Sequence, residues 1–122
     1  MLDVGTNTGF FSAMALRAGC RVHAVEGNTQ HYPFLELTSV LSGAPSRFQL
    51  HRQLATDHRS TSIKFNGWNI KDSARTATAV HAGPVDALVE TDVLYAKVDV
   101  EVSYAHGRPF YATPPWLTYG SP

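Results

Sequence analysis

Short apolar segments alternate with segments of helical periodicity over most of this chain of 122 residues. Residues 10–18 and 30–41 repeat apolar side chains at helical spacing, which predicts two helices. The remaining apolar segments are too short for helices and predict four strands, at residues 1–4, 21–26, 47–55 and 93–101. Strands that alternate with helices indicate a parallel sheet with helices packed on it, so the expected fold class is α/β.

The second predicted helix has its large apolar side chains at helical spacing. Phe34, Leu37 and Leu41 share this spacing, so we expect them to pack into the core. Pro33 is compatible only with the first helical turn, because proline has no backbone N–H to donate. Cys20, the single cysteine, precedes the second predicted strand and is predicted to be a small buried thiol.

A hairpin signal lies between the third and fourth parallel strands. Asn66 followed by Gly67 is a typical two-residue hairpin turn. A hairpin closed on this turn places Phe65 opposite Trp68, and the same register pairs the two isoleucines that lie further from the turn. We expect these aromatic and aliphatic side chains to share one face of the hairpin. The two isoleucines are Ile63 and Ile70.

The segments after the hairpin predict little regular structure. Residues 73–83 are rich in alanine and threonine and are predicted to be a loop or a weak strand. Residues 85–89 are predicted to be a short helix. The expected architecture is therefore an incomplete parallel sheet of about four strands plus a hairpin, with helices packed on the sheet.

The composition argues against several classes of function. Ten basic and ten acidic residues cancel, and no basic stripe with interleaved aromatic residues supports binding to nucleic acid or to an anionic membrane. No apolar run approaches the ~20 residues that span a bilayer, and the N-terminus lacks the layout of a signal peptide. The six histidines show no metal-ligand spacing, so no metal site is predicted. A single cysteine excludes an internal disulfide.

The end of the first predicted strand contains the most informative pattern in the chain. Asp3 lies near the carboxyl end of this strand, and Gly5 and Gly9 follow in a tight turn before a helix. Open α/β sheets bind ligands in the crevice beyond the carboxyl ends of their strands. The pattern is not a dinucleotide fingerprint, because Asn7 stands where the second glycine is needed, and it is not a P-loop, because no Gly-Lys pair follows. A tight turn without a ligand is the alternative at this point.

A second acidic residue closes the next predicted strand. Glu26 lies about 20 residues beyond the glycines, where nucleotide-binding βαβ units place an acid. A carboxylate at this position accepts hydrogen bonds from the two ribose hydroxyls. With the turn before it, Glu26 favours a cofactor site over the alternative of a solvated carboxylate at a strand end.

Two motifs together resemble those of one enzyme family. The pattern Asp-x-Gly-x-Asn-x-Gly, with Phe10 and Phe11 at the start of the helix, resembles the first motif of FkbM-like S-adenosylmethionine-dependent methyltransferases. Residues 97–101, Lys-Val-Asp-Val-Glu, are similar to the family's Lys-Ile-Asp-Val-Glu motif. The chain departs from the family at Gly27, where proline is usual, and at Val102, where the family has glycine. The second departure leaves the geometry of the following turn open.

This resemblance implies a Rossmann-like sheet of the methyltransferase type, with S-adenosyl-L-methionine as the cofactor. It implies that Glu26 binds the ribose and that Asp57, after the third strand, touches the adenine. Asp99 and Glu101 are implied as catalytic residues that position the acceptor hydroxyl or accept its proton. The residues implied around the methionine end of the cofactor are Asp3, Gly5, Asn7 and Gly9.

The resemblance also divides the chain. It predicts a methyltransferase-like cofactor-binding domain at residues 1–105 and an irregular tail, rich in proline and aromatic residues, at 106–122. We expect an incomplete sheet, as in a fragment or a degenerate copy of a larger domain. The implied activity is O-methyl transfer to a small molecule or a sugar hydroxyl, and whether this short chain is active is left open.

Two other functions compete with methyl transfer. One is a non-catalytic methyltransferase-fold remnant that acts as a binding or protein-interaction module and self-associates through an open sheet edge. The other is a nicotinamide-dependent enzyme, which Asn7 disfavours. A single thiol fits a reducing compartment such as the cytoplasm, and the compartment is otherwise left open.

Overall fold

A six-stranded sheet forms the centre of the computed structural model, which describes residues 1–56, 60–65, 78–89 and 92–99. Helices α1 (Phe10–Arg17) and α2 (Tyr32–Leu41) follow the first two strands. The strands are β1 (Leu2–Val4), β2 (Val22–Glu26), β3 (Phe48–Ala55), β4 (Ser60–Phe65), β5 (Thr78–Gly83) and β6 (Ala96–Val98). Short 3₁₀ turns are present at Thr29–His31, Pro45–Arg47 and Val85–Ala87.

The strand order is β4-β5-β3-β2-β1-β6. All neighbouring pairs are parallel except β4 with β5. The predicted α/β fold class is confirmed, with one more parallel strand among the described residues than the four expected. The additional strand is β5, which pairs with β3 where the sequence predicted a loop or a weak strand. Backbone pairing on both sides of β5 supplies the stability that its small side chains lack.

β4 has an antiparallel partner in the described part of the chain. Ile63 is opposite Val80 and Phe65 is opposite Thr78, so β5 is the partner in the described structure. The predicted turn at Asn66 and the facing residues Trp68 and Ile70 lie outside the described residues, as do the domain limit at 105 and the tail at 106–122.

Each face of the central strands contributes to a separate apolar cluster, because successive side chains of a strand point to opposite faces. On one face, Val22 and Ala24 pack against Leu16 of α1. On the other face, Leu2, Val4 and Val25 pack against the segment that contains Val85, Leu88 and Val89. The helices and this segment therefore cover opposite faces of β1 and β2.

The expected core residues of α2 are exposed. Phe34 is 55% exposed, Leu37 53% and Leu41 75%, whereas Leu35 is completely buried. The prediction failed because α2 has more than one apolar row, and helical spacing does not show which row faces the protein. The row with Leu35 faces inward because it packs against the start of α1, beside Gly9.

The predicted burial of Cys20 is also wrong. Cys20 is exposed in the turn between α1 and β2, where its N–H donates to the Ala15 carbonyl. Burial begins only at Val22, inside the strand. Among the described residues, no helix combines the length and the apolar character needed to cross a membrane.

Candidate functional site

The carboxyl ends of β1 and β6 flank the point where the sheet reverses its strand order. From β1 the chain proceeds to β2 and β3 on one side, and it later returns to β6 on the other side. The connections cover opposite faces, because α1 packs on one face and residues 85–89 pack on the other. In open α/β sheets such a divergence leaves space for a ligand beyond the strand ends, and we call the corresponding place beyond β1 and β6 the crevice.

The turn between β1 and α1 lines this crevice and has an unusual backbone. Gly5 has φ 70°, Asn7 φ 54° and Gly9 φ 89°, so three of five consecutive residues are left-handed. Such values are easily adopted by glycine and are tolerated by asparagine. The N–H of Gly5 donates to the Val25 carbonyl of β2, which ties the turn to the neighbouring strand. The sequence pattern Gly-x-Asn-x-Gly thus has a direct conformational cause.

Gly9 has a packing role that the sequence pattern alone does not show. A Cβ added to Gly9 would lie 2.8 Å from Leu35 Cδ2 and 3.3 Å from Thr38 Oγ1 of α2. The absence of a side chain therefore lets α2 pack directly on the N-terminus of α1. The structure places Gly9 at the turn as predicted, but against α2 instead of in the open crevice.

Glu26 joins the ends of β1 and β2. Its carboxylate accepts a hydrogen bond from the Asn7 N–H at 2.8 Å with one oxygen, and from the Asn28 N–H at 2.7 Å with the other. The side chain is buried, although it lies at the end of the strand. The predicted proximity of Glu26 to the glycine turn is thus present, and the carboxylate fixes the geometry of both turns.

Three side chains that follow β2 surround Glu26. Asn28 caps the first 3₁₀ turn, where its side chain accepts from the Gln30 N–H at 3.0 Å. His31 Nδ1 lies 3.7 Å from the Glu26 carboxylate. The Tyr32 hydroxyl donates to the Glu26 carbonyl at 3.3 Å. Burial and the Glu26 charge raise the pKa of Tyr32, which keeps its phenol protonated as a donor.

Asp3 is completely buried beneath the turn. One carboxylate oxygen accepts from the Thr6 hydroxyl at 2.8 Å and from the Ser12 hydroxyl at 2.7 Å. The other oxygen has no hydrogen-bond partner but lies 3.5 Å from Lys97 Nζ. Asp3 therefore links β1, the turn and α1, and the structure places it behind the crevice wall.

Lys97 belongs to this site, although it was not among the site residues predicted from the sequence. Its ammonium donates to the Gly5 carbonyl at 3.1 Å and lies 3.5 Å from both Asp3 and Asp99. It also lies 5.3 Å from the centre of the Phe11 ring. The signal was present, since Lys97 begins the second motif, but the register that brings β6 beside β1 is not visible in a single sequence.

The structure brings six of the eight predicted site residues to this edge of the sheet. Asp99 is exposed, with its N–H bonded to the Val4 carbonyl, and its carboxylate reaches Lys97. Asp57 and Glu101 lie outside the described residues. The six residues at the edge are Asp3, Gly5, Asn7, Gly9, Glu26 and Asp99.

Within the described ranges, no group of three or more histidine, cysteine or acidic side chains has the arrangement of a metal site. Comparisons of the chain with protein-family models, curated proteins and solved structures found no match. The resemblance to FkbM-like methyltransferases therefore stays a prediction based on the two motifs, and what is shown is an α/β domain with a mainly parallel sheet and an acid-lined turn at its switch point.

Proposed function

We propose that this domain binds S-adenosylmethionine at the carboxyl ends of β1 and β2 and serves methyl transfer to a hydroxyl of a small molecule or sugar. The observation that supports this proposal most strongly is the position of Glu26. Its carboxylate lies at the end of β2 and contacts the glycine turn through the Asn7 N–H. A ribose placed over the turn would meet this carboxylate, as in other nucleotide-binding βαβ units.

The remaining hydrogen-bonding capacity of Glu26 fits a vicinal diol. A carboxylate offers about four lone-pair sites. The backbone bonds from Asn7 and Asn28 occupy one site on each oxygen. Each oxygen therefore retains one site, which matches the two hydroxyls of a ribose. The backbone bonds also hold the carboxylate in place before a ligand arrives, which reduces the entropic cost of binding.

The other end of the crevice suits the charged methionine end of the cofactor. The Lys97 ammonium matches a carboxylate. Asp99 is exposed and directly follows β6, so it is the residue that would accept the proton of an acceptor hydroxyl. When bound, the cofactor supplies the methyl group to that hydroxyl oxygen.

Calorimetric titration of the full chain with S-adenosylhomocysteine tests this proposal. We expect binding by the natural chain and at least about tenfold weaker binding by Glu26→Gln, because a charge-assisted hydrogen bond to the ribose is lost. Glu36→Gln is the matched control, since Glu36 is exposed on α2 and pairs with Arg52. We expect the control to bind within about twofold of the natural chain.

Two results would contradict the proposal. One is the absence of heat with S-adenosylhomocysteine while thermal unfolding shows a folded chain. The other is equal affinity of Glu26→Gln and the natural chain. A titration with NADH in parallel separates this cofactor from nicotinamide coenzymes, and tighter binding of NADH would favour the dehydrogenase alternative.

One observation favours a second candidate, a non-catalytic module that self-associates. Among the described strands, β6 pairs only with β1, so its outer edge is open. Leu94, Tyr95 and Val98 beside this edge are 99%, 62% and 65% exposed. An open apolar edge invites pairing with a second copy. A concentration-dependent mass in light scattering that Val98→Lys abolishes would support this candidate, and a monomer at all concentrations would exclude it.

A further inference from the structure

A cavity lies at the opposite end of the sheet from the glycine turn. It has a volume of about 680 Å³ and adjoins the amino ends of β2 and β3. This volume is within the range of small-molecule pockets, roughly 300–1,000 Å³. Its walls combine polar side chains, among them Arg21 and Arg47, with the apolar side chains Phe48 and Leu88.

Among the described residues, the charged side chains of this cavity are of one sign. Arg21 and Arg47 line it together with His23, and no described acidic residue does so. Neither arginine forms an ion pair or a side-chain hydrogen bond within the described part of the chain. Arg47 is half-buried, and its guanidinium lies beside the turn at Gly19, where an added Cβ would be 3.7 Å from Nη1. Unpaired guanidinium groups around a cavity suit an anion, because their donors match phosphate oxygens in pairs.

We propose that this cavity binds the phosphate group of a phosphorylated small molecule. Arg21 and Arg47 contact the phosphate oxygens, with hydrogen bonds from Ser46 and Gln49. The apolar wall of Phe48 and Leu88 contacts the carbon part of the ligand. The site is separate from the carboxyl edge, so it does not depend on the proposed methyl transfer.

A pair of histidines lies at the cavity, and one of them, His23, lines it. His23 Nδ1 lies 3.1 Å from His51 Nε2, and their rings are stacked with centroids 5.4 Å apart. Burial lowers the pKa of both, and the N-terminal ammonium and Arg21 lower that of His23 further. A dianion beside His23 opposes these effects, because it stabilises the imidazolium.

The groups around His23 come from each neighbouring element. They are Arg21 immediately before β2, the N-terminal ammonium before β1, His51 on β3 and Arg47 in the turn before β3. The segment that covers this face contributes Leu88 to the cavity, whereas its acid, Asp86, is exposed and does not line it. Among the described residues, the charged neighbours of His23 at the cavity are therefore cationic, and a bound phosphate raises the pKa of His23.

Calorimetry with phenyl phosphate, inorganic phosphate and phenol as probes tests the site on the full chain. We expect phenyl phosphate to bind more tightly than inorganic phosphate, because it also contacts the apolar wall, and phenol not to bind. Arg47→Gln should weaken phenyl phosphate at least about tenfold through the loss of charge-assisted hydrogen bonds. Arg17→Gln is the matched control, because Arg17 is an exposed arginine at the end of α1 that does not line the cavity.

Each outcome of these experiments either supports or overturns the proposed phosphate site. Equal weakening by Arg47→Gln and Arg17→Gln, or no binding of phenyl phosphate by a folded chain, would overturn the proposal. Arg47→Lys covers the case in which Arg47→Gln fails to fold, since it retains the charge and should bind with intermediate affinity. In NMR titrations, phenyl phosphate should raise the pKa of His23 and leave the ring resonances of His81 on β5 in place, and an unchanged pKa of His23 would overturn the placement of the phosphate. Saturating S-adenosylhomocysteine should not compete with phenyl phosphate; if it does, the two ligands share one site and the proposal fails.

Discussion

The two ends of the parallel sheet differ in charge and in how that charge is used. At the carboxyl end, Asp3 and Glu26 are buried and their oxygens accept hydrogen bonds from the surrounding turns and from α1. At the amino end, Arg21 and Arg47 line a cavity and have no acidic partner among the described residues. We call these the acidic end and the basic end, although Lys97 also lies at the carboxyl edge, where it pairs with Asp3 and Asp99. The two buried acids are hydrogen-bonded within the chain, whereas the side chains of the two arginines have no such partner among the described residues.

The largest expected effect tests the structural role of the acidic end. Asp3→Ala removes the acceptor of two buried hydroxyls and leaves Lys97 without its buried partner. We expect the free energy of unfolding to fall by about 3–5 kcal/mol, the usual cost of breaking a buried pair. Urea titration measures this change.

Asp86→Asn is the control for Asp3→Ala, because Asp86 is an exposed acid in a 3₁₀ turn. Its effect should stay within about 0.5 kcal/mol. If Asp3→Ala were as mild as the control, the view of the carboxyl end as a preorganised network would be wrong.

A pair of glycines in two different turns separates backbone strain from packing. Gly9 and Gly43 both have positive φ, at 89° and 67°, but a Cβ at Gly43 would meet nothing within 4 Å. Gly43→Ala should cost roughly 1–2 kcal/mol, from left-handed backbone alone. Gly9→Ala should cost about 1–3 kcal/mol more, because its Cβ overpacks against Leu35. Equal losses in urea titrations of the two variants would show that α2 does not pack on Gly9 as described.

The histidine pair at the basic end should make the stability of the fold decrease in acid. The pKa values of His23 and His51 are lowered in the folded state, so the unfolded chain binds protons more readily below pH 6.5, the unperturbed value. The contribution of these two histidines to the stability of the fold is therefore fully present above pH 6.5. It is lost progressively as the pH falls through 6.5 towards their lowered folded-state pKa values. Urea midpoints in phosphate-free buffer at several pH values measure this effect, which we expect to be smaller than that of Asp3→Ala.

His51→Gln should flatten this pH dependence, because it removes one of the two coupled rings. His81→Gln, in an exposed position on β5, should leave the slope unchanged. A stability that rises on acidification, or a slope that His81→Gln flattens equally, would contradict the assigned role of the histidine pair.

The smallest effect concerns the exposed thiol beside the basic end. Cys20 adjoins Arg21, and Arg47 lies against the preceding glycine. We expect Cys20 in the folded chain to react faster with a dianionic disulfide reagent than with a neutral one, relative to the unfolded chain. This preference should decline with added salt, which screens exposed charges. A salt-independent ratio of the two rates would indicate that the arginines do not act on this part of the surface.

The sequence predicted the order of the first elements and the acidic turn, because local patterns determine both. Gly5, Asn7 and Gly9 need left-handed backbone, and β2 ends on Glu26 as expected. The contact between Lys97 and Asp3 was not predicted, because it depends on the pairing of strands far apart in the chain. The basic cavity was missed for the same reason, since Arg21 and Arg47 belong to different elements.

The orientation of α2 was also not predicted correctly from the sequence. Phe34, Leu37 and Leu41 satisfy helical spacing but face outward, whereas Leu35 packs inward. A single sequence shows the apolar rows of a helix and not the site at which a neighbouring backbone comes close enough to select one row. Here that site is Gly9, whose significance for α2 becomes clear only from the distance to Leu35.

The contact at Gly9 also limits how the chain can evolve. A larger residue at position 9 meets two obstacles, Leu35 in space and the left-handed conformation of the backbone itself. A second-site suppressor such as Leu35→Ala would relieve the steric obstacle only, and it would add the cost of a cavity in the core. Variants at position 9 should therefore resist rescue by single compensating mutations, even where the neighbouring helix is free to change.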